Sequence, residues 1–179
     1  KSFAVSGTQD SVDSAGLATM SAYLLAKNAK VLKNDIETSI FQNGAKNAGN
    51  ATTARQSAGI NTWLGTNTSA GNGGADPSSL DGSATRTDAS SGNLRPLSET
   101  LLKAVSKSVW DNGGSADTIY VGSANKQVIS TSFTGGATKQ VQTPDKTIVG
   151  AVDVYVGDFS TYNVVPARHM RSRDALVID

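Results

Sequence analysis

The stretch SAGLATMSAYLLAKNAKVLKNDIETSIFQ, residues 14–42, decides the reading of the fold. At about 100° per residue, Leu17, Met20, Leu24, Leu25, Val31, Leu32, Ile36 and Ile40 fall on one broad arc. Lys27, Lys30, Lys33 and Glu37 fall on the opposite one. No proline interrupts the run, and Asn43-Gly44 supplies a stop. The spacing predicts a helix over about 14–42, on the order of 43 Å long. A compact chain of this length has a diameter of about 41 Å. A helix that crosses the whole molecule implies an elongated, flattened subunit. Asn28 and Asp35 lie a heptad apart inside the apolar arc. Either both side chains reach water, or Asp35 is a buried acceptor for an arginine such as Arg95, Arg168 or Arg171. An unpaired buried carboxylate is too costly to keep.

Upstream, Phe3-Ala4-Val5 reads as a short extended arm ending at Ser6-Gly7, with Ser11 or Asp13 as candidate cap for the helix. Downstream, Thr62-Trp63-Leu64 offers one apolar anchor. Residues 65–93 contain a single large aliphatic, Leu80, and predict a long polar loop that cannot order itself by burial. A second helix is expected over about Ser98–Asn112, capped by Ser98, with Glu99 at its positive end and Leu101, Leu102, Val105 and Val109 inward. Thr118–Val121 reads as a strand, and a short helix follows over about Ala124–Ser132. Ile148-Val149 leads into alternating Val152, Val154 and Val156. Gly157-Asp158 makes a turn, and Thr161–Val165 returns until Pro166. Ala175–Ile178 is a last apolar run. The class is α+β with a mixed or antiparallel sheet. Lys1 is not an initiator methionine and the chain stops inside a strand-like run, so a piece from the middle of a longer subunit is expected.

Several function classes find no support. The chain has no cysteine, which removes disulfide frameworks and thiolate chemistry. Its net charge of +1, with signs interspersed, offers no row of cations for a phosphate backbone, so no sequence-specific nucleic-acid binding is expected. No apolar run reaches the roughly 20 residues a membrane helix needs. The one histidine, His169, sits in Ala167-Arg168-His169-Met170-Arg171 without a nucleophile elbow elsewhere, so a hydrolase built on it is disfavoured. Asp76, Asp81 and Asp88 could surround calcium, but their spacing misses the EF-hand pattern. Gly71–Gly74 lacks the strand and the Lys-Ser/Thr pair of a phosphate loop. No catalytic residue, cofactor or metal is assigned. The densest charge feature is Arg168, Arg171 and Arg173, followed by Asp174. It is either a solvated hairpin end or a set of bidentate ion pairs, within the fold or to a neighbouring subunit.

Taken in order, certain segments resemble a known family. They are Phe3-Ala4-Val5-Ser6-Gly7-Thr8-Gln9, Leu32-Lys33-Asn34-Asp35-Ile36-Glu37, Thr53-Ala54-Arg55, Gly59-Ile60 and Thr62-Trp63-Leu64. Val121-Gly122, Asn125-Lys126-Gln127-Val128, Ile148-Val149-Gly150-Ala151 with Val152 to Val156, Val164-Val165-Pro166 and Arg171 to Leu176 complete the set. The set resembles the major head proteins of tailed bacteriophages, whose subunits have the Hong Kong 97 bacteriophage capsid fold. The resemblance implies that residues 1–10 end an extended loop. It implies that 11–94 form a peripheral domain around the long spine helix, and that 95–179 form an axial domain. It also implies hexamers and pentamers of a DNA-enclosing shell, assembled in the bacterial host cytoplasm and carried in the virion. Portal, scaffold and decoration proteins are the further partners it allows. A secreted, tail or surface adhesion module without catalytic activity is the alternative, which the long amphipathic helix disfavours.

Overall fold

The computed structural model describes residues 2–12, 16, 19–133 and 151–179. Among the described residues four α-helices occur in order: α1 (Gly7–Ser11), α2 (Met20–Phe41), α3 (Glu99–Asp111) and α4 (Ser123–Ser132). Four strands form one sheet: β1 (Thr118–Val121), β2 (Val154–Val156), β3 (Thr161–Pro166) and β4 (Ala175–Ile178), in the order β2-β3-β1-β4. β1 runs parallel to β3 and antiparallel to β4, and β2 runs antiparallel to β3. The class is α+β with a mixed sheet. The expected lead-in at Ile148-Val149 lies outside the described residues.

The sheet has two apolar faces because side chains alternate along each strand. On one face Ile119, Val121, Tyr155, Tyr162 and Val164 pack with Leu102 of α3 and with Ile129 and Phe133 at α4. The alternation Val154-Tyr155-Val156 is resolved in favour of the aromatic: Tyr155 is buried and both valines are exposed. Its hydroxyl donates to Glu99 Oε1 at 3.0 Å, joining β2 to α3. Burial, reinforced by the Glu99 carboxylate, pushes its pKa up to about 12. On the other face Tyr120, Leu176 and Ile178 meet Phe41, Ile60, Leu64, Ala167 and Met170. The Phe41 and Tyr120 rings are 5.9 Å apart, so the C-terminal end of α2 is seated on β1. Lys126 of α4 donates to the carbonyls of Val152 and Val164 and pairs with Asp153, tying helix and strands together.

α3 agrees with its sequence reading. Ser98 Oγ accepts from the Leu101 N–H, and Gly113, at φ 79°, closes the C-terminus with Gly114 donating to the Val109 carbonyl. Of the expected inward stripe only Leu102 is fully buried; Leu101, Val105 and Val109 are half-buried.

α2 is shorter than expected. It has 22 residues, about 33 Å, because Thr19 is extended and Gly16 sits at φ 82°, a left-handed conformation incompatible with helix. Below the diameter of a compact chain, that length no longer argues by itself for a flattened subunit. Asp13, Ser14 and Leu17 lie outside the described residues, and Ser11 is not the cap but the last residue of α1, itself capped by Ser6. The cap comes from further away. Asp10 accepts from the Ser21 N–H at 3.0 Å and from the Ser21 hydroxyl at 2.9 Å. Those two bonds, the backbone one foremost, lower the Asp10 pKa from its ordinary 3.8. A carboxylate held low in the fold stabilises it above that ordinary value and loses its effect as pH falls through the folded value. We therefore expect Asp10→Ala to speed amide hydrogen exchange at Ser21 at neutral pH, and expect the difference from the parent protein to vanish in acid. An unchanged exchange rate at neutral pH contradicts this cap.

Candidate functional site

The polar loop is ordered by paired charges rather than by a core. Arg86 pairs with Asp76 and also donates to the Leu64 carbonyl at 3.2 Å. Its backbone is matched to the Asn43 amide in both directions, at 2.6 and 2.9 Å. Lys46 pairs with Asp81 at 2.9 Å. Hydrogen bonds from Ser83, then from Lys46, hold the Asp81 carboxyl far below its usual range. Asn67, in the left-handed region at φ 54°, accepts from Ser108 and Asn112 and moors the loop to α3. An antiparallel bridge joins Ala75 to Thr87. The expectation that 65–93 is not ordered by burial agrees with this arrangement, in which hydrogen bonds and ion pairs at particular residues hold the loop. Asp76, Asp81 and Asp88 each face a different cation, Arg86, Lys46 and Arg171, so they do not converge on one point as calcium ligands do.

The basic cluster divides. Arg171 bridges two carboxylates, Asp88 from the polar loop and Asp174 at 3.1 Å from its own turn. Asp174 also accepts from Asn61, a buried side chain, at 2.7 Å, and its carbonyl accepts from Asn125 of α4. Burial works to lower the Arg171 pKa, but the bond to Asp88 and the charges of Asp174 and Asp88 outweigh it and raise it. This junction joins the loop, the turn before β4 and α4. Arg171 is thereby an intrachain contact and not a solvated hairpin end. Arg173 is more peripheral, 4.0 Å from Asp88, and Arg168 is exposed. Asp35 is exposed on α2, so the buried-acceptor reading fails within one subunit. His169 is half-buried in the turn after β3. The expected apolar anchor holds at Leu64, which packs on the second core, and is revised at Trp63, which is exposed while Asn61 and Thr62 are buried beside it. A motif of polar residues next to a tryptophan gave no signal that they were the buried ones.

Two apolar surfaces lie open. The arc of α2 splits along its length, and none of its residues is fully buried. Met20, Leu24 and Val31 are half-buried, but Leu25, Leu32, Ile36 and Ile40 are 62%, 53%, 52% and 46% exposed. With Ala22 and Ala29 these make a stripe whose spacings alternate between three and four as far as Ile36, the seam pattern of paired helices, with Ile40 a further four residues on. The second surface surrounds the end of α3. Trp110 is 56% exposed and stacks on Phe159 at 5.8 Å. Val154 and Val156 of β2 and Val165 of β3 are exposed as well, but on the face of the sheet opposite to the one that α3 covers.

An α+β chain whose polar chemistry is consumed in holding its own loops, and whose apolar surplus faces outward, belongs to the class of structural subunits that work by association. The sequence model of the SU10 major capsid protein family matches residues 1–179, the whole chain, and the chain belongs to that family. It is accordingly a non-catalytic phage capsid subunit that assembles with its own copies into the virion shell. The comparison with curated proteins returned no match. The adhesion-module alternative has no support.

Proposed function

We propose that the subunit assembles as hexamers and pentamers in the host cytoplasm and has the Hong Kong 97-type layout, with residues 1–10 ending an extended loop. In this reading 11–94 form the peripheral domain, with α2 as its spine, and 95–179 form the axial domain. The observation that carries the reading is the open stripe Leu25, Leu32, Ile36 and Ile40 on a helix that buries none of its residues. Exposed aliphatics in a continuous row mark an association surface. Asp35 and Lys33 flank the stripe on opposite sides, and with Arg168 and Arg173 they are the charged residues we assign to contacts between subunits. Arg171 and Asp174 act within the subunit instead.

The test is the double change Leu32→Asp with Ile36→Asp. Both side chains are half exposed, so the folded subunit should keep its stability within about 1 kcal/mol, read by urea unfolding. Closed shells, which electron microscopy should show for the parent protein, should disappear. Normal shells from the variant refute the assignment of α2, and a loss of subunit stability shows that the stripe serves the fold instead.

A further inference from the structure

Three Asn-Gly pairs occur in the sequence, Asn43-Gly44, Asn72-Gly73 and Asn112-Gly113. In each pair the glycine nitrogen can attack the asparagine side chain, because no Cβ obstructs the approach. The fold treats them differently. The Asn43 amide is bound at both ends, donating to the Arg86 carbonyl at 2.6 Å and accepting from the Arg86 N–H at 2.9 Å. The Asn112 amide donates to Asn67 Oδ1 at 2.6 Å and to the Ser108 carbonyl at 2.8 Å. There the nucleophile is held as well, since the Gly113 N–H donates to the Trp110 carbonyl at 2.9 Å. Asn72 is exposed, and among the described residues neither its side chain nor the Gly73 nitrogen has a hydrogen bond. It sits at the tip of a tight turn in which Gly74 N donates to the Gly71 carbonyl and Gly73 takes φ 80°.

We propose that Asn72 is a site of spontaneous modification, deamidated to aspartate and isoaspartate, and that the fold selects it over Asn43 and Asn112. The Gly73 nitrogen gives up its proton to base and bonds to Cγ of Asn72. The bond from Cγ to the amide nitrogen Nδ2 breaks and ammonia leaves, closing a five-membered succinimide. Water then opens either carbonyl of that ring. The balance is one water consumed and one ammonia released, with no redox change. The aspartate product adds one negative charge to the turn. The isoaspartate product also lengthens the backbone by one methylene, three residues before the Ala75–Thr87 bridge closes.

The two locked amides must break hydrogen bonds before they can rotate into position. A bond of this kind corresponds to about a tenfold rate difference. The test is incubation of the folded protein at mildly alkaline pH, then digestion and mass spectrometry, with a parallel sample unfolded in urea. In the folded protein Asn72 should convert at least about tenfold faster than either other site, and Asn72→Gln should abolish the fast phase. In urea the three should convert at similar rates. The proposal is overturned if Asn43 or Asn112 keeps pace in the folded protein, if Asn72 does not convert, or if urea preserves the same ranking.

Discussion

Gly59→Ala should be the most damaging glycine-to-alanine change among the described residues. A Cβ at Gly59 would stand 1.6 Å from the Gln42 carbonyl oxygen and 2.8 Å from its carbon, both backbone atoms that cannot swing aside. The strain is steric and not conformational, since Gly59 has an ordinary φ of −76°. Gly59 is where the returning backbone passes directly over the end of α2, donating to the Gly44 carbonyl at 2.9 Å. Separating the two backbones would break that bond. It would also shift Ile60 away from the Phe41 cluster and expose Thr62, which is fully buried with its hydroxyl on the Gly59 carbonyl. The expected loss is about 3 kcal/mol, at the upper end for overpacking. In thermal unfolding that corresponds to a fall of roughly 6–12 °C in Tm. Gly7→Ala, where nothing lies within 4 Å of the added atom, is the matched control and should leave Tm unchanged. Equal melting of the two variants contradicts the close approach.

Charge reversal at Arg171 and at Arg173 should give unequal results despite their spacing of two. Arg171→Glu would bring a third carboxylate against Asp88 and Asp174 and leave the Asn61–Asp174 bond beside repelling charges. Breaking a fully buried pair costs about 3–5 kcal/mol, but these side chains are 21%, 36% and 18% exposed, so water screens part of the effect. About 2 kcal/mol of destabilisation is expected in urea unfolding of the subunit. Arg173 is 43% exposed and only grazes Asp88, so Arg173→Glu should change subunit stability by about 0.5 kcal/mol or less. A shell defect in Arg173→Glu would then report on contacts between copies, whereas one in Arg171→Glu would be confounded with a weakened fold. Equal destabilisation by both changes argues against the junction.

The elements that were legible in the sequence are those whose signals are local. Ser98 three residues before Leu101, the period of Leu101, Leu102, Val105 and Val109, and Pro166 at the end of Thr161–Val165 each act within a turn or a strand, and α3, α4, β1, β3 and β4 appear where they were expected. What escaped was carried by distant partners. The start of α2 depends on Asp10 reaching Ser21 and on Gly16 leaving the helical region, which an unbroken apolar arc conceals. The order of the loop depends on Asp88 finding Arg171, 83 residues later, and on Arg86 matching Asn43, 43 residues earlier. Composition alone made that loop look unstructured, because hydropathy counts what a residue buries and not what it bonds. The role of Arg171 was undetermined for the same reason. A run of arginines with one nearby aspartate does not reveal which of them has a second carboxylate waiting.

The bond from buried Asn61 to Asp174 spans 113 residues. At ribosomal speeds of about 5–20 residues per second, Asn61 is made roughly 6–23 s before its acceptor exists. β1 likewise waits for both its neighbours, β3 and β4, to be synthesised. Through that interval the residues of α2 are already synthesised, aliphatic row included, while the platform that seats its end is missing. The turn carrying Asp174 and the strand β4 that follows it are therefore what convert an adhesive helix into a positioned one. Translation order itself becomes a timer on when the subunit can recognise another.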